Sequence, residues 1–388
     1  MAIPISYNLR NLFQRPVSTL TTMVGFGLTV MIFIGALALA SGFKAALKKS
    51  GSPDNAIVVR KGADSEISSG LSREATDIIR GGPEVATTPD GHGLTSADVV
   101  VLTNQPRLGQ PGYSNLTVRG IDPSSLALRD QVRITDGRMF APGSDEIIVG
   151  RRIAPRFAHC ALGDKMRFGP RDFTVVGHFE AAGSSFESEV WGDNAVLMPV
   201  FRGEVFESGT FRMKDPGRFE QVRKTLEADP RLGVDVHRES DWYTQQAGVL
   251  ATVIGIMGFF ITLIMAVGAV FGAMNTMFAA VGSRTREIAV LQILGFSPFS
   301  VMVSFMIESL FLALMGGALG CLMALPINGI VTSTTNFTSF SEVAFAFRIT
   351  WVGIAIGLIF AAGMGLAGGF LPSLAAASRP LAKSVREL

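Results

Sequence analysis

Long stretches of this sequence contain no charged residue. Only 17% of the 388 residues are charged, and the mean hydropathy is +0.38. Ranges 16–43, 242–283 and 349–378 have no Asp, Glu, Lys or Arg, and 299–330 has only Glu308. About 20 mostly apolar residues suffice to cross a bilayer as a helix. The pattern excludes an ordinary soluble protein and predicts four transmembrane helices.

The chain also lacks the patterns on which common catalytic and cofactor sites depend. No phosphate loop of the form G-x-x-x-x-G-K-[ST] occurs, so we expect this chain to bind no ATP and no other cofactor. The four histidines are scattered and indicate no metal site, and no residue is singled out as catalytic. Cys160 falls in a polar segment and Cys321 in an apolar one, so we expect no disulfide. The balanced charge does not indicate nucleic-acid binding.

Most of the charge lies in 44–241, which holds 26 of the 34 basic and 28 of the 32 acidic residues. Near the apolar stretches, the candidates for basic residues on the cytoplasmic side are Arg10, Arg15, Arg284, Arg286, Arg379, Lys383 and Arg386. With four spans, the three segments that hold them lie on one side of the membrane. The positive-inside rule makes that side cytoplasmic. We therefore expect both termini in the cytoplasm and 44–241 outside it.

The first apolar stretch has a second interpretation. Ala38-Leu-Ala40 resembles the cleavage site of a secretory signal. The apolar part of a signal is about 7–15 residues long, however, so the length of 16–43 favours a span. Ahead of it, apolar residues recur at helical spacing: Ile5, Leu9, Leu12 and Phe13. They predict an amphipathic helix over 1–16 on the inner leaflet, with a frayed tail as the alternative.

The polar segment predicts an α+β domain of two subdomains. Runs of β-like composition are 56–59, 98–102, 116–120, 132–134, 146–149, 165–168, 173–176 and 196–198. Ranges 72–80 and 216–228 have helical periodicity, and the second begins with Asp215 as a cap and Pro216. The order of these segments places a strand-rich subdomain, about 135–207, inside the other.

The second apolar stretch, 242–283, is too long for a bilayer alone. We expect its first half, which includes Gln245, Gln246 and Thr252, to continue the helix outside the membrane as a stalk. The spans also contain glycine pairs four residues apart: Gly268 and Gly272, Gly316 and Gly320, Gly353 and Gly357, and Gly365 and Gly369. Such pairs let helices approach closely, within one chain or between two.

The segment 284–298 between the second and third spans is amphipathic. Arg284, Arg286 and Glu287 are followed by apolar residues at helical spacing, Ile288, Leu291 and Leu294, and then by Gly295 and Pro298. We expect the two arginines at the lipid headgroups and the glycine and proline in the turn into the next span. The segment could dock a soluble partner; alternatively, its charges only set the topology.

Several motifs together resemble the MacB/FtsX-like (type VII) ABC transporter permeases. They are the loop Thr285-Arg-Glu-Ile288 with Leu294-Gly295, the third span from Glu308-Ser-Leu-Phe-Leu to Gly316-Gly-Ala-Leu-Gly320, and the closing Pro372-Ser-Leu-Ala-Ala-Ala and Arg379-Pro-Leu-Ala-Lys-Ser-Val-Arg386. Similar outer motifs are Glu146-Ile-Ile-Val-Gly150, Leu162-Gly-Asp164 and Phe173-Thr-Val-Val-Gly177. The order of one span, a large domain and three more spans also resembles that family.

This resemblance implies a bacterial inner-membrane permease that works as a dimer, of two copies or of two paralogues, each bound to an ABC ATP-binding subunit that hydrolyses ATP. A periplasmic membrane-fusion adaptor is a further implied partner. The loop would dock on the ATPase through Arg284, Arg286, Glu287, Ile288, Leu291 and Gly295. The implied mechanism is mechanotransmission, in which ATPase movements reach the outer domain through the stalks.

Two further groups of residues have alternative interpretations. Glu308 is costly in lipid, so it should face protein or water; a hydrogen bond to a neighbouring helix and proton coupling both account for it. Glu187, Glu189 and Trp191 lie in a Gly- and Ser-rich segment and predict a partner or cargo contact. The alternative is that the tryptophan packs into its own core.

Two functions from different classes follow. The first is an exporter permease that acts on lipid, lipoprotein, peptide or hydrophobic cargo in the outer compartment. The second is an FtsX-like transducer that activates an envelope hydrolase and transports nothing. The size of the outer domain favours the first. A secondary transporter is disfavoured, because the chain has four spans and no inverted repeat.

Overall fold

The computed structural model describes residues 16–88, 91–109, 111–201, 203 and 205–378. These residues form two compact units. The helical unit comprises 16–41, 253–330 and 347–378, and the α+β unit comprises 42–252 and 331–346. Each unit is described by itself.

The helices are α1 (Pro16–Lys48), α2 (Arg73–Arg80), α3 (Asn194–Phe201), α4 (Phe219–Ala228), α5 (Glu239–Ser283), α6 (Thr285–Ile293), α7 (Pro298–Ala324) and α8 (Trp351–Ala377). The strands are β1 (Asn55–Arg60), β2 (Thr95–Pro106), β3 (Tyr113–Ile121), β4 (Arg133–Gly137), β5 (Glu146–Gly150), β6 (Lys165–Phe168), β7 (Arg171–Glu180), β8 (Glu189–Asp193), β9 (Ser208–Arg212), β10 (Val234–Arg238), β11 (Val331–Thr335) and β12 (Glu342–Ala346). Short 3₁₀ turns cover Pro123–Leu128, Ser185–Ser188, Pro216–Arg218 and Leu325–Ile327.

Four of these helices, α1, α5, α7 and α8, are long and apolar enough to cross a membrane. The predicted fold class, four membrane helices with an α+β domain between the first two, is confirmed. Helix α1 continues to Lys48 and α5 begins at Glu239, so both extend beyond the charge-free ranges. The helix predicted over 1–16 lies outside the described residues except for Pro16, as does the tail 378–388 except for Ser378.

Glycines bring the helices of the helical unit into close contact. A Cβ on Gly320 would lie 2.4 Å from the carbonyl oxygen of Gly27 in α1, and one on Gly365 would lie 2.4 Å from Cβ of Ala313 in α7. Two of the predicted glycine pairs, in α7 and in the second half of α8, therefore pack within the chain. Gly268 and Gly272 in α5 differ, because no described atom lies within 4 Å of the position of an added Cβ.

Ten strands of the described chain form one mixed sheet. Its order is β10-β1-β9-β2-β3-β8-β5-β7-β4, and β6 pairs with β7. The pairs β3–β8 and β5–β7 are parallel, and the other pairs are antiparallel. Strand β1 is buried along Asn55–Val59, as its continuous apolar run predicts for a strand covered on both faces.

Two hydrophobic clusters lie along this sheet. One combines β1, β9 and β10 with α2 and α4, and includes Val58, Ile79 and Phe211. The other begins at Val99 and extends to Met198. The predicted boundary at about 135 is therefore wrong: β2 and β3 contribute to the second cluster, and the sheet continues from one cluster to the other.

Local start signals are confirmed, whereas one predicted strand is wrong. Ser72 caps α2 by accepting a hydrogen bond from the backbone nitrogen of Ala75, and Asp215 accepts one from Gly217. The run 196–198, predicted as a strand, lies inside α3. The four-span topology predicts an outer loop over 331–348, and this segment contains the hairpin β11–β12, which belongs to the α+β unit.

Candidate functional site

Helix α6, here called the loop helix, is bounded by sharp breaks at both ends. At Arg284 the backbone leaves the helical conformation (φ −108°, ψ 19°), which separates α5 from the loop helix. At the other end Gly295 adopts a positive φ of 94°. Its nitrogen donates to the carbonyl of Gln292, and the nitrogen of Phe296 donates to Leu291, as in a Schellman cap. The predicted turn at Gly295 is confirmed.

One face of the loop helix packs inside the helical unit. Ile288 is only 3% exposed and joins a cluster with Met277, Val281, Val301 and Phe305 from α5 and α7. Leu291 is half-buried. Ile288, which was predicted to dock a partner, therefore holds the loop helix against its own chain.

Arg284, expected at the lipid headgroups, is also buried among the helices of its own unit. It is 5% exposed and Glu308 in α7 is 4% exposed. Its Nη1 atom lies 2.9 Å from Oε2 and 3.3 Å from Oε1 of Glu308. The intramembrane glutamate thus contacts a cation, because a buried carboxylate is stable only when paired.

The opposite face of the loop helix is exposed. It comprises Arg286, Glu287, Val290, Ile293 and Leu294. We call it the outer face because it is the exposed side of the loop helix, and the name does not refer to the outer compartment. Ile293 is 61% and Leu294 is 66% exposed. Positions i, i+1, i+4, i+7 and i+8 share one side of a helix. Three members of this face, Arg286, Glu287 and Leu294, belong to the amphipathic pattern found in the sequence, whereas Val290 and Ile293 were not singled out there.

A second set of contacts fixes the beginning of α5 within the α+β unit. A Cβ on Gly51 would lie 2.4 Å from the backbone carbonyl of Glu239, so only glycine allows the two segments to meet there. Oε2 of Glu239 accepts hydrogen bonds of 2.9 Å from the backbone nitrogen of Ser52 and from Nδ2 of Asn55. The segment after α1 and the start of α5 are thus joined directly.

The next turn of α5 reaches a buried ionic network. Tyr243 donates a 3.1 Å hydrogen bond to Oε2 of Glu66. Arg119 on β3 contacts Glu66 at 2.9 Å, Asp98 at 3.1 Å and Glu189 at 2.7 Å. A second arginine, Arg129, also pairs with Asp98. Sequence reasoning missed this network, because its members are distant along the chain and meet only in the folded sheet.

The arginines of the network lower the pKa of two of its carboxyl groups. Burial alone would raise the pKa of Asp98, but Arg129 and Arg119 outweigh it, and the pKa lies below its ordinary value. Burial would likewise raise the pKa of Glu66, and Arg119 lowers it below its ordinary value. Glu189 and Glu66 raise the pKa of Arg119 well above its usual range against the effect of burial.

The structure contradicts the predicted cargo contact at Glu187, Glu189 and Trp191. All three are buried in the α+β unit. The indole nitrogen of Trp191 donates to Glu189 at 2.7 Å. Glu187 accepts from the backbone nitrogens of Ala181 and Gly183 and pairs with Arg152. These residues build the core, as the alternative interpretation held for the tryptophan.

The hairpin β11–β12 is attached to the same unit through Glu342. This carboxylate pairs with Arg107 and accepts hydrogen bonds from Ser114 at 2.6 Å and Ser333 at 2.7 Å. The backbone nitrogen of Ala344 donates to Ser188 at 2.8 Å. The α+β unit therefore holds the segment between α7 and α8 as well as the segments that flank α1 and α5.

Within the described ranges, no group of three or more His, Cys, Asp or Glu side chains is arranged to hold a metal ion. A polar cavity of about 40 Å³ adjoins the network and is lined by Arg119, Glu189, Tyr243 and Asn336 among others. A water molecule needs about 10–15 Å³ of such volume, so this cavity has room for a few waters and not for an organic cofactor.

Two family models match this chain. A family model described as a MacB-like periplasmic core domain matches residues 19–229, more than half of the chain. A second, described as an FtsX-like permease C-terminal domain, matches residues 259–381. The solved extracellular domain of the noncanonic ABC-type transporter YknZ from Gram-positive bacteria is 13% identical, with a TM-score of 0.36, over 47% of this chain and 99% of that one.

Two relatives are similar over long stretches. The macrolide export ATP-binding/permease protein MacB of Pasteurella multocida is 23% identical over 396 residues, which cover 90% of this chain and 56% of that protein. An uncharacterized ABC transporter permease of Methanocaldococcus jannaschii is 23% identical over 223 residues, which cover 55% of this chain and 54% of that protein. The chain thus spans about half the length of these relatives.

Proposed function

The chain belongs to the MacB/FtsX-like ABC transporter permeases, and from this premise we propose that it converts ATP hydrolysis by a separate ATP-binding subunit into movement of its α+β unit. The α+β unit would act on lipid, lipoprotein, peptide or hydrophobic cargo in the outer compartment, with both termini in the cytoplasm. The Pasteurella relative is named for macrolide export, which supports an export role.

The single observation that carries this proposal is the length and continuity of α5. It has 45 residues, which at 1.5 Å per residue make a helix about 68 Å long. The hydrocarbon layer of a bilayer is about 30 Å thick. Residues before 253 belong to the α+β unit, where Glu239 and Tyr243 are bonded, and the rest belong to the helical unit. An unbroken helix is suited to carry a displacement from one unit to the other.

The outer face of the loop helix is the proposed docking surface for the ATP-binding subunit. Exposed Val290, Ile293 and Leu294 offer an apolar patch beside the charges of Arg286 and Glu287. Such a mixture of apolar contact and flanking charge is typical of interfaces between proteins. In this proposal Arg284, Ile288, Leu291 and Gly295 shape and hold the loop helix from within its own chain.

The face of α5 that contains Gly268 and Gly272 is the proposed contact with a second permease copy. Both glycines are open, and Asn275 is exposed on the same side, one turn further on. Asn275 lies eight residues, about 12 Å, before the end of α5, so it falls at membrane depth. A polar side chain there is costly against lipid and favourable against another helix.

The test uses the chain reconstituted in nanodiscs with the ATP-binding subunit that co-purifies with it. Spin labels at Leu162→Cys, an exposed position of the α+β unit, report the distance between the two copies. A Gly-Gly insertion after Thr252, where α5 passes between the units, should abolish the ATP-driven change in that distance. ATP turnover should continue, because the docking surface is intact.

The matched control is the same insertion after Gly109, an exposed loop position with a φ of 71°. It should leave the ATP-driven change as in the unmodified chain. If the insertion after Thr252 also left the change intact, α5 would not carry the movement and the proposed function would be wrong.

A further inference from the structure

The Arg284–Glu308 ion pair connects three helices, namely α5, the loop helix and α7. Arg284 is the residue at which α5 breaks before the loop helix, and Glu308 lies on α7, eleven positions after Ser297, the capping residue of that helix. The bond therefore joins the junction of two consecutive helices to the side of a third. A force that a partner applied to the loop helix would therefore act first on the junction between α5 and the loop helix.

The apolar contacts around the pair leave the loop helix attached along one side only. Ile288 and Val281 pack against Val301 and Phe305 of α7, and Ala376 at the end of α8 joins the same cluster. The outer face is exposed along its whole length. Apolar contacts of this kind are non-directional and permit sliding, whereas a buried ion pair fixes one arrangement.

Burying the two charges costs free energy, so a gain in folding stability does not by itself explain why the pair is present. Removing a carboxylate and a guanidinium from water costs more than an apolar pair of similar size would. Only Nη1 of Arg284 reaches the carboxylate, at 2.9 and 3.3 Å, so the contact is that of a point charge with two oxygens. A lysine could reproduce such a contact, unlike a two-pronged arginine fork.

We propose that Arg284 and Glu308 form a latch that makes the loop helix and α7 move together when the ATP-binding subunit pushes on the outer face. This inference rests on the proposed function. It adds a second route for the movement: α7 continues through Leu325–Ile327 into the hairpin β11–β12, whose Glu342 is bonded to Arg107 and Ser114 in the α+β unit. Both latch residues are positioning residues and do not contact the partner.

The first measurement uses the permease alone in nanodiscs. Spin labels at Ile293→Cys on the outer face and Leu322→Cys near the end of α7 report how firmly the loop helix is held, in a background of Cys160→Ala and Cys321→Ala. Glu308→Gln should at least double the width of the distance distribution. Arg284→Lys should keep the narrow distribution, because it retains the charge. Arg286→Gln, which removes a neighbouring exposed charge, should also leave the width unchanged.

The second measurement uses the reconstituted complex and the labels at Leu162 described above. In Glu308→Gln the ATP-driven change in distance should fall at least fivefold while ATP turnover stays within twofold. The separate variant Arg284→Lys, which retains the charge pair, should keep most of the change. Native-like size-exclusion behaviour and thermal unfolding check that each variant is folded. A variant with both charges exchanged, Arg284→Glu with Glu308→Arg, provides a second test, and partial recovery is expected.

The outcomes separate the latch from the proposed function. If Glu308→Gln left both the width and the ATP-driven change as they were, the latch would be wrong, even where the insertion after Thr252 abolished the change. If the change disappeared while the width stayed narrow, Glu308 would act in another way, and the latch would again be wrong. If the insertion after Thr252 had no effect, the proposed function itself would fail.

Discussion

The helical unit and the α+β unit are held together by different side chains. In the helical unit, backbones meet at Gly27, Gly320 and Gly365, and the principal buried ion pair is the one at the loop helix. In the α+β unit, large side chains such as Trp191, Phe186 and Arg119 are fully buried. The contrast follows from the solvent. Lipid tails are as apolar as a core, so helices gain from close contact, whereas water drives large apolar groups inward.

The two units also differ in where buried charges are concentrated. In the α+β unit, Arg119 and Arg129 stack near the ring of Phe186 at 5.2 and 5.1 Å, and three carboxylates surround the first of them. A sheet brings such groups together from distant positions. In the helical unit, the latch stands at the end of α5, where the chain turns.

The largest expected effect comes from removing the central cation of the network. Arg119→Met would leave Glu66, Glu189 and Asp98 without their shared partner. Breaking a buried ion pair in this way costs about 3–5 kcal/mol, so the free energy of unfolding of the α+β unit should fall by that amount. A urea titration followed by fluorescence of Trp191 and Trp242 measures it. Arg138→Met, which breaks the exposed pair with Glu146, should change it little.

Acid should weaken the α+β unit through the same network. The pKa values of Asp98 and Glu66 are lowered on folding, so their contribution is complete above their ordinary values of 3.8 and 4.5. It is lost as the pH falls through the lowered values. The part of the urea midpoint that depends on Asp98 and Glu66 should therefore be constant from pH 7 to about 5 and fall below about pH 4. An equally steep fall in Arg119→Met would show that other groups cause it.

A bulky residue at a helix contact should have a smaller effect. Gly320→Leu would place a side chain against the backbone of Gly27, and overpacking of this kind costs about 1–3 kcal/mol. The thermal unfolding of the helices, followed by circular dichroism, should shift down. Gly268→Leu is the matched control: a Cβ at this position has no described atom of another element within 4 Å, so unfolding should not change, and only association with the second copy should weaken. Equal shifts in both variants would contradict this distinction.

The smallest effect is expected on the outer face. Ile293→Asp should weaken binding of the ATP-binding subunit about tenfold, or about 1.4 kcal/mol, without changing the unfolding of either unit. Titration of the labelled subunit into nanodiscs measures the affinity. Leu162→Asp, an exposed substitution in the α+β unit, should leave the affinity unchanged. Unaltered affinity in Ile293→Asp would move the docking surface elsewhere.

The membrane helices and several elements of the α+β unit could be predicted because their signals are local. The long apolar runs with no charge or a single charge locate α1, α5, α7 and α8, and Asp215 with Pro216 marks the start of the segment that leads into α4. The run 196–198 failed because three apolar residues have no period that distinguishes a strand from a helix. It lies in α3, which packs on the second cluster through Leu197 and Met198.

The buried ionic contacts could not be predicted, because each charged residue depends on a second residue that is distant along the chain. Glu189 and Trp191 occur beside Gly192 and Asp193, a composition typical of loops, yet they form β8. The parallel pairing of β8 with β3 sets Trp191 opposite Arg119, 72 positions earlier. Arg284 likewise has the sequence context of a residue at the lipid headgroups, but in the structure α7 places Glu308 beside it. A sequence pattern describes a single helix or strand, whereas each of these contacts is formed by residues from two elements.

The hairpin β11–β12 has a consequence for how the protein is made. Synthesis proceeds from the first residue, so Arg107 and Ser114 emerge long before Glu342, their partner in the finished unit. Between them, α5 and α7 must both be threaded through the lipid, in opposite directions, for the hairpin to return to the compartment in which the sheet is folding. A chain whose second or third helix was inserted the wrong way round would leave the hairpin on the far side. The α+β unit can therefore be completed only in a chain whose preceding helices have been inserted correctly.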